Sequence, residues 1–331
     1  MATAIERTGR NPHTNKVADE ALYRSQLPSS AAQTPPVQIR YVASSGSDGT
    51  GNGSFAQPFA TVSHALSTIT DAAVGKPYVI LVSPGTFAGD IALKSFVGIK
   101  GVDPSDKPVF TGTLSIDPGF TAGGKAALSD LIFTLAQTLD FSAFASPPVS
   151  IVDVQFQGTF SLTGTSVTSI RSNRFVNDTH FTDNATLLTQ DNTFVSSDGG
   201  ATFEAATVDV VWLSNGDDFG SALNVTAVGP QTLNAQLVGS QIGGPNTLTL
   251  DGAGVTFGGT AGAIAPTVAL AGGAAAPSLW TQGNSIGYSA HTPGNWAGSA
   301  PGAVSDQNTL ANSAIDRLAA AVEGLLGHAI P

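Results

Sequence analysis

Large apolar residues recur at a nearly fixed interval along this chain, and that constrains its fold more than any other feature. Phe87, Phe110, Phe133, Phe156, Phe175, Phe194 and Phe219 are followed by Ile242, Ile264 and Ile286. The intervals run 23, 23, 23, 19, 19, 25, 23, 22 and 22 residues. The surrounding phrase repeats as well, as in "IRSNRF" and "TQDNTF". A small or acidic residue stands three places before the anchor: Asp130, Asp153, Ser172, Asp191, Gly216, Gly239 and Gly283. A period of about 22 residues with no helical pattern inside it specifies a solenoid of short strands. The expected fold is all-β: a right-handed parallel β-helix of about nine coils of about 22 residues each. In that fold Phe87, Phe110, Phe133, Phe156, Phe175, Phe194, Phe219 and Ile242 form one inward column. Asn173 and Asn192 fall at equivalent places, and an amide ladder at a turn is expected of them.

Strand patterning agrees. "TFSLTG", "LNVTA" and "TLTLDG" alternate apolar with polar residues, as half-buried strands do. "PYVILVSPGTF" is a continuous apolar run closed by Pro-Gly, the pattern of a buried first strand. Gly is abundant at 38 of 331 residues and charged residues make up only 11%, which suits many tight turns. Cysteine is absent, so neither a disulfide framework nor a thiolate metal site exists.

The chain divides into three parts. Residues 1–40 hold Pro28, Pro35 and Pro36 with few apolar side chains, and are expected to be an arm that is flexible or anchors to a larger assembly. Residues 41–305 are the β-helix. Within it residues 59–73 place Val62, Ala65, Leu66 and Ile69 on one face of a short helix, suited to cap the open end of the first coil. Residues 306–331 end the chain as a helix. There Ile315, Leu318, Val322 and Leu325 are spaced 3, 4 and 3, an apolar seam for capping or oligomerisation.

Residues 41–101 carry Tyr41, Val42, Gly46, Asp48, Pro58, Phe59, Thr61, Ala65, Leu66, Pro84, Gly85 and Phe87. This order resembles the opening of right-handed parallel β-helix proteins of the pectin-lyase-like superfamily. The resemblance implies the fold. Functionally it points several ways, because the superfamily includes polysaccharide lyases, glycoside hydrolases, phage tailspikes and other virion proteins. The short helical ending after a β-rich body resembles the C-termini of some phage and viral structural proteins. Spikes and fibres of that class are commonly trimers, which implies a homotrimer.

Charge narrows the partners. Net charge is −11, and residues 41–308 hold seven Lys or Arg against nineteen acids, whereas residues 1–40 hold five against three. Such a body repels nucleic acid and anionic membranes. No segment has the pattern of a signal peptide or of a membrane-crossing helix.

Two local groups invite a chemical reading. "NGDDFG" offers Asp217 and Asp218, and paired carboxylates are the machinery of glycoside hydrolysis. Adjacent strand residues point to opposite faces, however, and the polygalacturonase-type motifs it would need downstream are missing. "NDTHFTD" offers Asp178 and His180 on one face, with Arg171 and Arg174 one strand earlier, as a conceivable acid–base set. A polar outer face is the simpler account. The loop "GSDGTGNGS" has a single Asp, too few charged oxygens for calcium. Trp280 and Trp296 could together stack on a glycan.

The expectation is therefore a chain without a catalytic set, cofactor or metal. It would be a virion structural or attachment protein (a decoration, fibre or spike subunit), assembled in the host cytoplasm and held to other virion proteins by its arm. The alternative is a carbohydrate-active enzyme or a module that binds a surface glycan on the same fold.

Overall fold

The computed structural model describes residues 37–306 apart from 145–146, 196–199, 243–246, 252–254, 261–262, 265–266, 272–277, 283–284 and 287–302, with side chains described as far as residue 255 apart from 241–247. Most of the arm expected at 1–40 lies outside the described residues. So does the C-terminal seam of Ile315, Leu318, Val322 and Leu325.

The described residues form an all-β parallel solenoid. Each full coil contributes one strand to each of three faces. The first full coil is Tyr78–Val82, Thr86–Phe87 and Ile91–Leu93, and the next is Val97–Gly101, Val109–Phe110 and Leu114–Ile116. Stacking the coils gives a first sheet of twelve strands, from Gln38–Val42 to Ala303–Asp306. The second sheet has ten strands of two residues. The third is divided into two strands and then seven. Every pairing between strands of successive coils is parallel, as between Arg174–Phe175 and Thr193–Phe194.

The phenylalanine ruler is the second sheet seen from inside. Phe87 through Phe219 are register partners, coil on coil. Their rings stack at centroid separations of 5.6, 5.3, 5.6, 5.4, 4.9 and 4.7 Å along the column. Interplanar angles fall from 29° at the first pair to 5° at the last. All seven rings are buried. Each contributes roughly 2–3 kcal/mol from area, and each stacked pair about 0.5–1.5 kcal/mol more. Ile242 is the backbone register partner of Phe219, and Ile264 pairs with Ile286 of the following coil.

The residue three places before each anchor has its own physical cause. Asp130, Asp153, Ser172 and Asp191 have φ of 59°, 56°, 55° and 54°, and Gly216 and Gly239 have 70° and 65°. A single left-handed residue turns the chain from the first sheet into the second. Gly enters that region freely, and Asp enters it more readily than most residues. At Gly216 a Cβ would also lie 2.6 Å from Asp191 Oδ1. Ser172→Val is therefore expected to lose about 1–2 kcal/mol, because a β-branched side chain is worst in this conformation. Ser172→Gly should change little. Thermal melts of the two variants check this.

The first coil is closed by the segment that carried the superfamily resemblance. Gln38–Val42 pairs with Tyr78–Val82, so the solenoid begins ahead of the expected boundary at residue 41. Helix α1 spans Val62–Thr68, shorter than the 59–73 expected, and buries Val62, Ala65 and Leu66. Thr61 caps it by accepting from the His64 amide. Asp48 in turn accepts from the amides of Ala60 and Thr61 at 2.8 and 3.1 Å and from Thr61 Oγ1 at 2.7 Å. At the other helix end Lys94 Nζ donates to the carbonyls of Leu66 and Ile69. The Gly/Asp-rich loop is thus a clasp for the cap. Gly46 is required in it because a Cβ would fall 2.3 Å from the carbonyl oxygen of Phe59.

The break in the third sheet is bridged by a side chain. Leu114–Ile116 and Gln137–Asp140 lie in neighbouring coils without ladder pairing. Buried Gln137 inserts its amide there, accepting from the Leu114 amide at 2.6 Å and donating to the Gly112 and Leu135 carbonyls at 3.2 and 3.0 Å.

Candidate functional site

The solenoid offers chemistry in two places: polar groups inside the corners and the outward rows of its sheets. The inner corner between the first and second sheets holds a continuous hydrogen-bond ladder. The Val154 amide donates to Asn173 Oδ1 at 2.8 Å. The Asn173 amide and Nδ2 donate to Asn192 Oδ1 at 2.9 and 3.0 Å. The Asn192 amide and Nδ2 donate to Asp217 Oδ1, both at 2.8 Å. Asn173 and Asn192 also donate to the carbonyls of Ile151 and Ile170.

Asp217 continues the ladder through its amide, which donates to Ser240 Oγ at 3.2 Å, but its carboxylate cannot donate as the asparagine side chains do. Its Oδ2 accepts instead from Thr189 Oγ1 at 2.5 Å and Ser214 Oγ at 2.6 Å. Thr189 and Ser214 occupy the positions that Ile151 and Ile170 hold in earlier coils. Thr189 also accepts from Trp212 Nε1, while the buried indole stacks on Phe203 at 3.7 Å. Burial raises the Asp217 carboxyl above the ordinary aspartate range, against the pull of its four donors. Asp218, by contrast, is exposed on the outer face of the second sheet. The two carboxyls lie on opposite sides of the wall and cannot flank one glycosidic bond. The buried one is committed to structure.

The second sequence group is dispersed. His180 is exposed on the third sheet, between Ser161 and Thr202. Asp178 precedes that strand and is half-buried. Arg171 lies on the first sheet and Arg174 on the second. The chain turns two corners between residues 171 and 180, so closeness in sequence does not become one site. Trp280 pairs by backbone with Gly258 and Ser305, and Trp296 lies outside the described residues.

One charged cluster was missed at the sequence level. At the left-handed corners Asp130 and Asp153 are one coil apart. Lys100 Nζ lies 3.6 Å from Asp130 Oδ2, and Lys107 Nζ bonds both the Asp153 carboxylate and its carbonyl oxygen. Burial raises the Asp130 carboxyl, opposed by Lys100 and reinforced by the Asp153 carboxylate. The signal was present in the repeat: equivalent Asp residues 23 apart must face each other across one coil step. At the left-handed corner just past the third sheet, Asp183 does similar structural service. Its Oδ1 accepts from the amides of Ala206, Thr207 and Val208, and Thr207 Oγ1 donates to Oδ2. Burial raises this carboxyl, but the donors outweigh burial and hold it below the ordinary range.

The outward rows differ by face. On the third sheet Thr138, Ser161, His180, Thr202, Asn224 and Thr249 follow in register, flanked by Asp140, Thr163, Thr182, Glu204, Thr226 and Asp251. These form a flat grid of hydroxyl, amide and carboxylate groups about 4.8 Å apart between coils and about 7 Å along a strand. Among the described residues no group of three or more His, Asp or Glu side chains is placed to hold a metal ion. No family model matches the chain, and comparison with curated proteins and with solved structures returns no match.

Proposed function

We propose that the chain is a non-enzymatic virion structural or attachment protein, a decoration, fibre or spike subunit that projects a rigid β-helix from a particle. The observation that carries this reading is the distribution of its titratable side chains. The sequence candidates point to three different faces or into the wall, and the carboxyls with shifted acidity are occupied in holding corners and caps. A wall built this way resists deformation, and among the described residues the sequence candidates do not converge as an acid and base.

The net-basic segment 1–36 is the proposed anchor to other virion proteins, since the rest of the chain is acidic. Copies of the chain associate, as a homotrimer. Deleting residues 1–36 should leave the β-helix melting unchanged and abolish incorporation into particles. Normal incorporation of the truncated protein would overturn the anchoring role.

A second reading, binding of a surface glycan, is favoured by the third sheet's grid alone. Sugar hydroxyls match a flat array of hydroxyl and amide groups. Glycan-array binding lost on Thr202→Ala/Asn224→Ala would support it. Under the structural reading, incubation with acidic polysaccharides releases neither reducing ends nor unsaturated products. Turnover that disappears with Asp218→Asn would establish the enzymatic alternative instead.

A further inference from the structure

The outward face of the first sheet differs from the rest of the molecule in charge and in polarity. From Gln38–Val42 to Leu233–Val238 its outward strand positions hold no Asp or Glu, and only Lys100 and Arg171 are charged. The body as a whole carries nineteen acids between residues 41 and 308. The third sheet's outward rows include Asp140, Glu204 and Asp251, and the second sheet's include Asp218. Apolar exposure follows the same division. Ile39, Val167, Leu188, Val211, Leu213 and Val238 are 37–44% exposed on strands of the first sheet, whereas no strand of the third sheet exposes a large apolar side chain among the described residues.

Val167, Leu188, Val211 and Leu213 form one contiguous group. Leu188 and Leu213 are register partners, and Thr186 with Val211 forms the adjoining row, continued to Val167 in the preceding coil. Further along the central row stand Gly98, Ala127, Ser150 and Ser169, whose small side chains let another surface approach the backbone. We propose that this face is where two copies of the chain meet. The proposal rests on the reading that copies assemble, and it adds the surface.

Two physical arguments select a second copy as the occupant. The first is electrostatic. Two acidic bodies repel each other, and the face that lacks acids is where they approach at least cost. The second is size. Five residues of strand by eight coil steps is about 17 by 38 Å, or about 650 Å², comparable with the roughly 800 Å² per partner of a stable interface. Contiguous exposed apolar groups with a polar rim have the composition of such a surface. The arrangement leaves the third sheet's polar grid facing outward.

The test is the mass of the full-length protein by light scattering across a concentration series. The native protein is expected to be oligomeric. Leu188→Glu/Leu213→Glu should shift it to monomer, with its melting temperature measured on the same samples. Thr202→Glu/Asn224→Glu adds the same charge to the third sheet and should leave the oligomer intact. Val167→Thr/Val211→Thr keeps β-branched shape, so it should weaken association at least tenfold even if the glutamates impair folding. A native protein that is monomeric at high concentration overturns both the assembly reading and this surface. An oligomer that survives both first-sheet variants, or that the third-sheet variant dissolves equally, overturns the surface and leaves assembly standing.

Discussion

Phe175→Ala is expected to lower the free energy of unfolding by about 3–5 kcal/mol, and Phe175→Asp to prevent folding. The ring is buried between Phe156 and Phe194, at 5.4 and 4.9 Å and within 7° of parallel to both. Its edge also meets Phe181 at 6.1 Å. Truncation leaves a cavity that stacked coils cannot close, because parallel hydrogen bonding fixes the coil spacing. An aspartate there would place a carboxylate among rings with no donor to receive it. Arg174 is the adjacent residue and points outward, so Arg174→Ala should cost under about 1 kcal/mol. Urea titration of the variants separates these outcomes. Equal midpoints for Phe175→Ala and Arg174→Ala would show that the column is misassigned.

Asp217 carries the second large effect. Asp217→Ala leaves the Asn192 amide and side chain and two hydroxyls without their acceptor inside the wall, which should cost about 3 kcal/mol or more. Asp217→Asn keeps the acceptor for Asn192 and continues the pattern of Asn173 and Asn192. The two variants must differ, and pH separates them further. Burial raises the folded carboxyl above its unfolded value, so the native state binds the proton more tightly. In the window between those values the native protein loses stability as pH rises. Asp217→Asn removes that loss. It should be more stable than Asp217→Ala at neutral pH, although the Thr189 and Ser214 hydroxyls lose their carboxylate acceptor, and its stability relative to the native protein should fall as pH falls through the window. An advantage that grows on acidification would contradict the direction of the shift.

The repeat made the fold legible because one coil is one sequence unit, and inward residues must match across coils. Phe at the anchor, Asn in the ladder and Asp, Ser or Gly at the corner each answer a geometric demand made once per turn. Asp217 and Asp218 could also be separated from sequence, since strand neighbours face opposite ways. Other features left no periodic trace. Gln137 bridges a single fault in the third sheet and has no equivalent in adjacent coils. Thr189 and Ser214 break an apolar column, and their reason appears only when Asp217 is found opposite them. The grouping of Asp178 and His180 with Arg171 and Arg174 misled because two corners intervene within nine residues. The character of the first sheet's outer face needed the register of every coil before its lack of acids could be seen.

The central claim is that each repeat is one coil, stacked in parallel register on the next. The chain has no cysteine, so paired spin labels can be introduced without removing native thiols. Thr138 and Asn224 are four register steps apart on the third sheet's outer face, and Thr138 and Thr249 are five. With Thr138→Cys/Asn224→Cys and Thr138→Cys/Thr249→Cys, diluted into unlabelled protein, dipolar distances of about 19 and about 24 Å are expected, differing by one coil step of about 4.8 Å. Distances that do not lengthen by one step between the pairs, or that lie far beyond these values, would contradict the stacked-coil register.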